Sequence, residues 1–348
     1  MTSVKTLHVK NIRSHTVYSV NFSSDVTIIT GSNGSGKTSL LEAIYISLQG
    51  TSFRGSDGDM LQKEAEWWRI DSVLDDQQIR TIKFDPAKTT SRKQFTIDDK
   101  TTARIPAKLK HPVVLFEPED LRLLHGSPTR RRQFIDRFIS QLNPVYGPTL
   151  RKYERALKQR NNLLKKQYTS DDELFAWNIA LAEHGSYVIS QRIAFIEQIN
   201  LNLNDIYHEI AGTHDTVSVH YSHTFVGDIK QKLLNELHAH LERDKILGNT
   251  SAGPHRHDVM FVINNSPALS MASRGEARTI VLALKFLEVD IIEKLTDKQP
   301  IILFDDVFSE LDANRQKLLT SRLTGHQIII TSATSHAGEH LHHIKLGD

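Results

Sequence analysis

No cysteine occurs among the 348 residues, which excludes a disulfide framework and any thiolate metal site. No apolar run approaches the roughly twenty residues of a membrane-spanning helix. Residues 1–20 interleave Lys, Arg, His and Asn where a secretory signal keeps its core apolar. Apolar heptads are not sustained long enough for an extended coiled coil. There is no internal repeat and no low-complexity tract. Net charge is also scarce, at +2, so bulk charge alone points to no partner. What remains is 39% hydrophobic and 24% charged, the composition of a soluble globular chain. A cytoplasmic protein with no membrane association is expected. The length allows two or three domains, or one large domain carrying an insertion.

Against these absences stands Gly31-Ser32-Asn33-Gly34-Ser35-Gly36-Lys37-Thr38-Ser39, which meets the phosphate-loop pattern at Gly31, Gly36, Lys37 and Thr38. It follows the apolar run Val26–Thr30 and precedes a helical pattern with Leu40, Leu41, Ile44, Tyr45 and Leu48 on its apolar positions. Glycines let successive backbone N–H groups converge on one anion, and the helix N-terminus adds partial positive charge. Lys37 is expected to reach the β- and γ-phosphates of ATP, and the Thr38 hydroxyl to ligate Mg2+.

The partner motif lies far away. Ile301–Phe304 is a continuous apolar run, as in a strand buried on both faces of a parallel sheet. Asp305 and Asp306 follow at its carboxyl end, where open α/β sheets place ligands. Asp305 suits magnesium, and Asp306 suits orienting or deprotonating an attacking water.

The intervening chain changes character. Short strands around the loop (Thr6–Val9, Tyr18–Phe22, Ile79–Phe84, Gln94–Ile97) give way to helices after Glu117-Pro118. Ser127-Pro128 reads as an N-cap with proline at the first helical position. From Leu121 to Lys166 there are twelve basic residues and two acidic ones, Asp136 and Glu154. That excess is either a footprint for a polyanion or a solvated helical face. On the first reading, Arg130, Arg131, Arg132, Arg151, Lys152 and Arg155 contact nucleic acid, DNA or RNA. The strand Thr216–Tyr221 is expected to return toward the sheet, and the nucleotide-binding fold to resume near Gly253. The resulting division is 1–119, the first half of an ATPase head; 120–247, a helical lobe; and 248–348, the second half.

Between lobe and acidic strand, Ser273-Arg274-Gly275-Glu276 opens a helix with an apolar stripe at Ile280, Val281, Leu284, Leu287 and Ile291. A Ser-capped helix start is an anion site, though alone the pattern is weak. Phosphate loop, Ser-x-Gly-Glu, Asp-Asp, then Leu311-Asp312 is the order of the ATP-binding-cassette ATPases, which the chain resembles. It is most similar to their SMC-like branch, and within it to the bacterial recombination mediators, over essentially the whole length. Leu7–Arg13, Leu41-Glu42-Ala43-Ile44, Phe116–Asp120, Gly126-Ser127-Pro128, Lys158–Asn161, Gly253–Arg256 and Asp305–Asp312 carry that likeness.

The resemblance implies an α/β fold, an ABC-type P-loop ATPase head with a mixed sheet and an inserted α-helical lobe. It implies that Arg13 joins the loop residues at the nucleotide, and that Ser273, Arg274, Gly275 and Asp312 join the nucleotide-contacting set, with the signature serine and glycine completing the site of a second copy. Asp306, Lys37 and Asp305 are the implied catalytic residues of a weak, DNA-stimulated ATPase. Implied partners are duplex DNA and single-strand/double-strand junctions, recombination mediator proteins, a recombinase, and a second copy in an ATP-dependent homodimer. The implied setting is DNA repair and replication restart.

Two positions depart from that pattern. Glu276 stands where Gln is usual, and His257 where Asp is common. Eighteen histidines invite a metal reading, but His336, His340, His342 and His343 lack ligand spacing. His336 is a candidate γ-phosphate sensor. Trp67 and Trp68 read as packing residues or as a base-stacking platform. A transporter ATPase subunit, a long SMC-type architectural protein and an ATPase fused to a nuclease are the competing classes. The split motifs and basic insertion count against the first. The missing coiled coil counts against the second, and the chain length against the third.

Overall fold

The structure, a computed structural model, describes residues 2–75, 77–166, 170–223, 227–307, 311–333 and 342–347. It forms two compact units, one of Met1–Asp120 with Glu288–Asp348 and the other of Leu121–Leu287. The expected third segment, 248–348, is therefore shared between the two units.

The first unit is built on a five-stranded parallel sheet in the order His342–Lys345, Val26–Thr30, Ile328–Ser332, Ile301–Asp305, Val113–Phe116. Its central strands Ile301–Asp305 and Ile328–Ser332 are buried at every residue, which is why they read as unbroken apolar runs. Cross-strand neighbours Phe304 and Phe116 stack with centroids 4.3 Å apart. The helix Lys37–Gln49 follows Val26–Thr30 through the phosphate loop, and every residue of it except Thr38 is buried.

A six-stranded antiparallel sheet shares this core. Its order is His15–Asn21, Val4–Ile12, Trp68–Leu74, Ile79–Phe84, Lys93–Ile97, Lys100–Thr102. Alternation along each strand sends Leu7, Val9, Ile70, Ile82 and Phe95 into the same cluster as Leu41, Ile44 and Leu48 of the helix. The two tryptophans part company. Trp68 is core, stacked on Phe84, whereas Trp67 has the ammonium groups of Lys10 and Lys83 over its ring at 5.2 and 4.8 Å.

Two polar side chains stitch this unit together. Gln327 imitates a strand edge: its amide oxygen accepts from Val4 N–H at 2.8 Å, and its nitrogen donates to the carbonyls of Val4 and Ser23. Buried Arg80, from Ile79–Phe84, donates to the Ser47 carbonyl in the last turn of the phosphate-loop helix and to the Leu109 carbonyl. A cation there also complements the helix dipole.

The second unit is the helical lobe. Ser127 caps Pro128–Leu142 by accepting from Arg130 N–H, as its sequence predicts. Tyr146–Leu164 packs on Asp171–Ala211, a 41-residue helix begun by Ser170 and ended by Gly212 at φ 64°. The strand Val217–Tyr221 does not return to the nucleotide-binding sheet. It pairs antiparallel with Val259–Ile263 in a separate three-stranded sheet completed by Ser266–Pro267. Helix residue Asn200 exchanges two 2.8 Å bonds with the backbone of Val219, and Asn204 accepts from Val217 N–H. These amides occupy the strand's outer edge, so further pairing there is blocked. The segment from Gly253 to Leu287 thus belongs to the lobe, and the fold of the first unit resumes within the helix Arg274–Thr296.

Candidate functional site

At the phosphate loop, Gly34 has φ 88°, and a Cβ there would meet nothing within 4 Å. Gly36, at φ 92°, caps the helix, and a Cβ on it would lie 2.2 Å from His15 Nε2 and 2.4 Å from Ser14 Oγ. Glycine at 36 is thus required by both backbone and space. The hairpin turn Arg13-Ser14 and the following His15 explain the crowding: His15 Nε2 donates to the Gly36 carbonyl at 3.1 Å. Ser32, Asn33 and Gly34 are exposed, Gly31, Ser35 and Gly36 partly so, and Ser39 is buried. Lys37 Nζ lies over the loop, donating to the carbonyls of Gly31 at 2.8 Å and Ser32 at 3.0 Å.

The two distant motifs meet. Thr38 Oγ1 donates to Asp305 Oδ1 at 2.6 Å across 267 positions of sequence. A hydroxyl and a carboxylate oxygen are the hard donors magnesium takes, so the residues fit the ion. Bound there, it would neutralise phosphate charge. Thr331, in the neighbouring strand, accepts Asp306 N–H at 3.0 Å, and its Oγ1 lies 3.2 Å from Asp305 Oδ1. Asp306 departs from the strand with φ 54°, which turns it off the sheet. Burial pushes its carboxyl above the usual range; Lys37 opposes the shift, Asp305 adds to it, and Arg54 opposes it. A raised carboxyl is closer to the range of a general base at neutral pH.

Behind this pair lies a cluster that motif reading quoted only in part. Arg13 Nη2 pairs with Glu42 Oε2 at 2.7 Å, the Ser52 hydroxyl donates to Glu42 Oε1, and Arg54 Nη1 stands 4.0 Å from Asp305 Oδ2. Ser52 and Arg54 were missed. The available signal was Glu42 itself, a carboxylate inside the apolar run Leu40–Leu48.

In the lobe, Ser273, Arg274 and Gly275 are exposed at a helix start. Ser273 N–H donates to Glu276 Oε2 at 2.7 Å, and Glu276 N–H to Ser273 Oγ at 3.3 Å. This reciprocal capping box holds a full negative charge at the tip of the helix. Asp312, in the first unit, caps Ala313–Arg322 by accepting from Arg315 N–H and pairs with the Arg315 guanidinium. Ser309, Glu310, His336 and His340 lie outside the described residues. His342 Nε2 donates to the Asn21 carbonyl, and no His/Cys/Asp/Glu cluster suited to a metal occurs among the described residues.

The basic positions divide sharply. Arg151, Lys152 and Arg155 are exposed and Arg130 is half-buried. Arg131 is buried, with a bidentate bond to Asp258 at 2.9 and 2.7 Å and another to the Gly126 carbonyl at 2.6 Å. Arg132 donates to the His257 carbonyl and to Thr129 Oγ1. Arg131 and Arg132 thus hold parts of the lobe together; Arg131 is withdrawn from solvent, Arg130 and Arg132 are partly exposed, and Arg151, Lys152 and Arg155 are exposed. His257, at the usual Asp position, is buried against Tyr221 and stacked on His223 at 3.8 Å.

Comparison with known proteins gives the family of the chain. The family model described as RecF/RecN/SMC N terminal domain matches residues 3–345. The chain is 34% identical over 345 residues to the DNA replication and repair protein RecF of Ruminiclostridium cellulolyticum, covering 94% of this chain and 92% of that protein. It is 35% identical to RecF of Streptococcus suis, covering 98% and 94%. A solved structure of the recombination mediator protein RecF with ATP, from the RecFOR pathway, superposes with a TM-score of 0.86 at 29% identity, over 97% of this chain and 94% of that one. The Smc head domain of Pyrococcus furiosus, at TM-score 0.50 and 16% identity over 96% and 90%, shares the fold alone.

Proposed function

Because the chain belongs to the RecF/RecN/SMC N-terminal domain family, as a RecF-type DNA replication and repair protein, we propose that it is an ATP-gated, DNA-binding recombination mediator. The observation that carries the reading is the 2.6 Å bond between Thr38 and Asp305, which joins the phosphate loop to the acidic strand despite the lobe inserted between them.

In this reading ATP, with Mg2+ held by Thr38 and Asp305, sits on Gly31–Ser39 with Arg13 beside it. Lys37 stabilises phosphate charge, and Asp306 orients or deprotonates water. The exposed start of helix Arg274–Thr296 meets the nucleotide of a second copy, so two chains enclose two ATP molecules, with Asp312 at the same contact. Arg130, Arg151, Lys152 and Arg155 bind duplex DNA near gaps or single-strand/double-strand junctions. Slow, DNA-stimulated hydrolysis releases the pair, and mediator partners hand the site to a recombinase. No helix among the described residues is long and apolar enough to cross a membrane.

Mass in solution with and without ATP and duplex DNA tests the reading. A dimer that appears only with ATP, and DNA affinity that falls steeply with salt, support it. A monomer under every nucleotide condition, or DNA binding in none, overturns it.

A further inference from the structure

Glu42 lies one helical turn beyond Thr38, on the same face of the phosphate-loop helix. Its side chain is fully buried, so its charge must be paired to be tolerated. Each oxygen has its own task. Oε2 is ion-paired with Arg13 Nη2 at 2.7 Å, a charge contact without an aligned hydrogen bond; Oε1 accepts from the Ser52 hydroxyl. Ser52 Oγ in turn accepts the backbone N–H groups of Arg54 at 2.9 Å and Gly55 at 3.0 Å. The turn that carries Arg54 is thus tied to Glu42 through one hydroxyl, with the Arg54 guanidinium 4.0 Å from Asp305. Arg13 is fixed from its other side by Arg13 N–H to the Met60 carbonyl at 3.0 Å and Nε to the Asp59 carbonyl at 3.3 Å.

Fold stability alone does not account for this residue. Buried ion pairs replaced by apolar side chains are often neutral or stabilising, and Glu42 is surrounded in sequence by Leu40, Leu41, Ala43 and Ile44, all buried. A leucine would continue that face. What Glu42 supplies instead is a fixed negative charge that draws two arginine-bearing turns toward the Thr38–Asp305 pair.

We propose that Glu42 is a positioning residue for ATP turnover: without touching the nucleotide, it fixes Arg13 and the Arg54 turn beside the magnesium-ligating pair. This rests on the ATPase reading above. Burial raises the Glu42 carboxyl above its ordinary range; Ser52, Arg13 and Arg54 each oppose that rise, and the neighbouring Asp305 charge adds to it.

The test uses the full chain with Glu42→Gln, Arg13→Gln, their double variant and Ser52→Ala, measuring ATP affinity and steady-state hydrolysis separately. Glu42→Gln should keep ATP affinity within about threefold while kcat falls by roughly tenfold or more, since the loop and Lys37 are intact. The double variant should be no slower than the slower single one, because both changes remove the same contact. Ser52→Ala should show the same split in smaller degree. Additive losses in the double variant, or an unchanged kcat in Glu42→Gln, overturn the assignment. If Glu42→Gln does not fold, Ser52→Ala decides: reduced kcat with retained ATP affinity supports it, and wild-type kcat overturns it. Absence of turnover in the unsubstituted chain would instead defeat the ATPase reading.

Discussion

Thr38 and Asp305 are separated by 267 positions and share a 2.6 Å hydrogen bond. The hydroxyl stands at the first turn of a buried helix and the carboxylate at the carboxyl end of a buried strand, so neither can move far without disturbing the core. Replacing Thr38 with valine keeps the shape and removes the oxygen. Loss of a group that merely supports a metal ligand typically weakens metal affinity or activity by about 10–100-fold, so loss of this one should reach at least that range. Magnesium titration of ATP hydrolysis checks it, with normal magnesium dependence as the contrary result.

Arg131 and Arg155 belong to the same basic stretch but should fail differently. Arg131→Ala leaves Asp258 partly buried and unpaired; 26% of the Asp258 side chain is exposed, so the loss should be about 2–3 kcal/mol, below that of a fully buried pair. Arg155→Ala should leave the melting curve unchanged and reduce the salt slope of DNA binding by about one. Thermal melts and a salt series on both variants separate the roles.

Acid should destabilise the fold through neutral buried histidines. Burial is the main cause that pushes His111 and His255 down to about 4 and His257 down to about 3. For His255, the Thr250 carbonyl can only accept, so Nε2 carries the proton and Nδ1 accepts from Tyr153 OH. Each folded value lies below the unfolded value of about 6.5. The unfolded chain therefore binds more protons in the interval, and stability is complete above pH 6.5 and declines as pH falls toward 4. Denaturant midpoints from pH 8 to 5 should show this slope, and His255→Gln should flatten it by about one proton.

Glu276→Gln preserves the capping geometry, since glutamine can also accept from Ser273 N–H. Helix stability should change by less than about 0.5 kcal/mol. If the proposed dimer places this helix start at the nucleotide of the second copy, ATP-dependent dimerisation should strengthen, because one negative charge beside the phosphates is removed. Sedimentation of both chains with ATP checks this, and identical monomer–dimer equilibria would sink that expectation.

Much of the fold was legible where its signals are local. The loop glycines, the unbroken run Ile301–Phe304 and the Ser127-Pro128 cap each carry their geometry in adjacent residues. Strand partnership does not. Val217–Tyr221 and Val259–Ile263 alternate like the strands of the first unit, and only their mutual pairing assigns them to the lobe. Burial of charge was equally hidden. Arg131 and Arg155 look alike in sequence, and what separates them is Asp258, 127 positions from Arg131. Glu42 was visible as an anomaly in an apolar helix, but its meaning required the turn bearing Ser52.

Arg80 gives the phosphate-loop helix a second anchorage. At 13 residues that helix is about 20 Å long, with the loop at one end and the antiparallel sheet gripping the other through the Ser47 carbonyl. The buried helix therefore joins the phosphate loop at its N-terminal end to the antiparallel sheet at its C-terminal end as one continuous element.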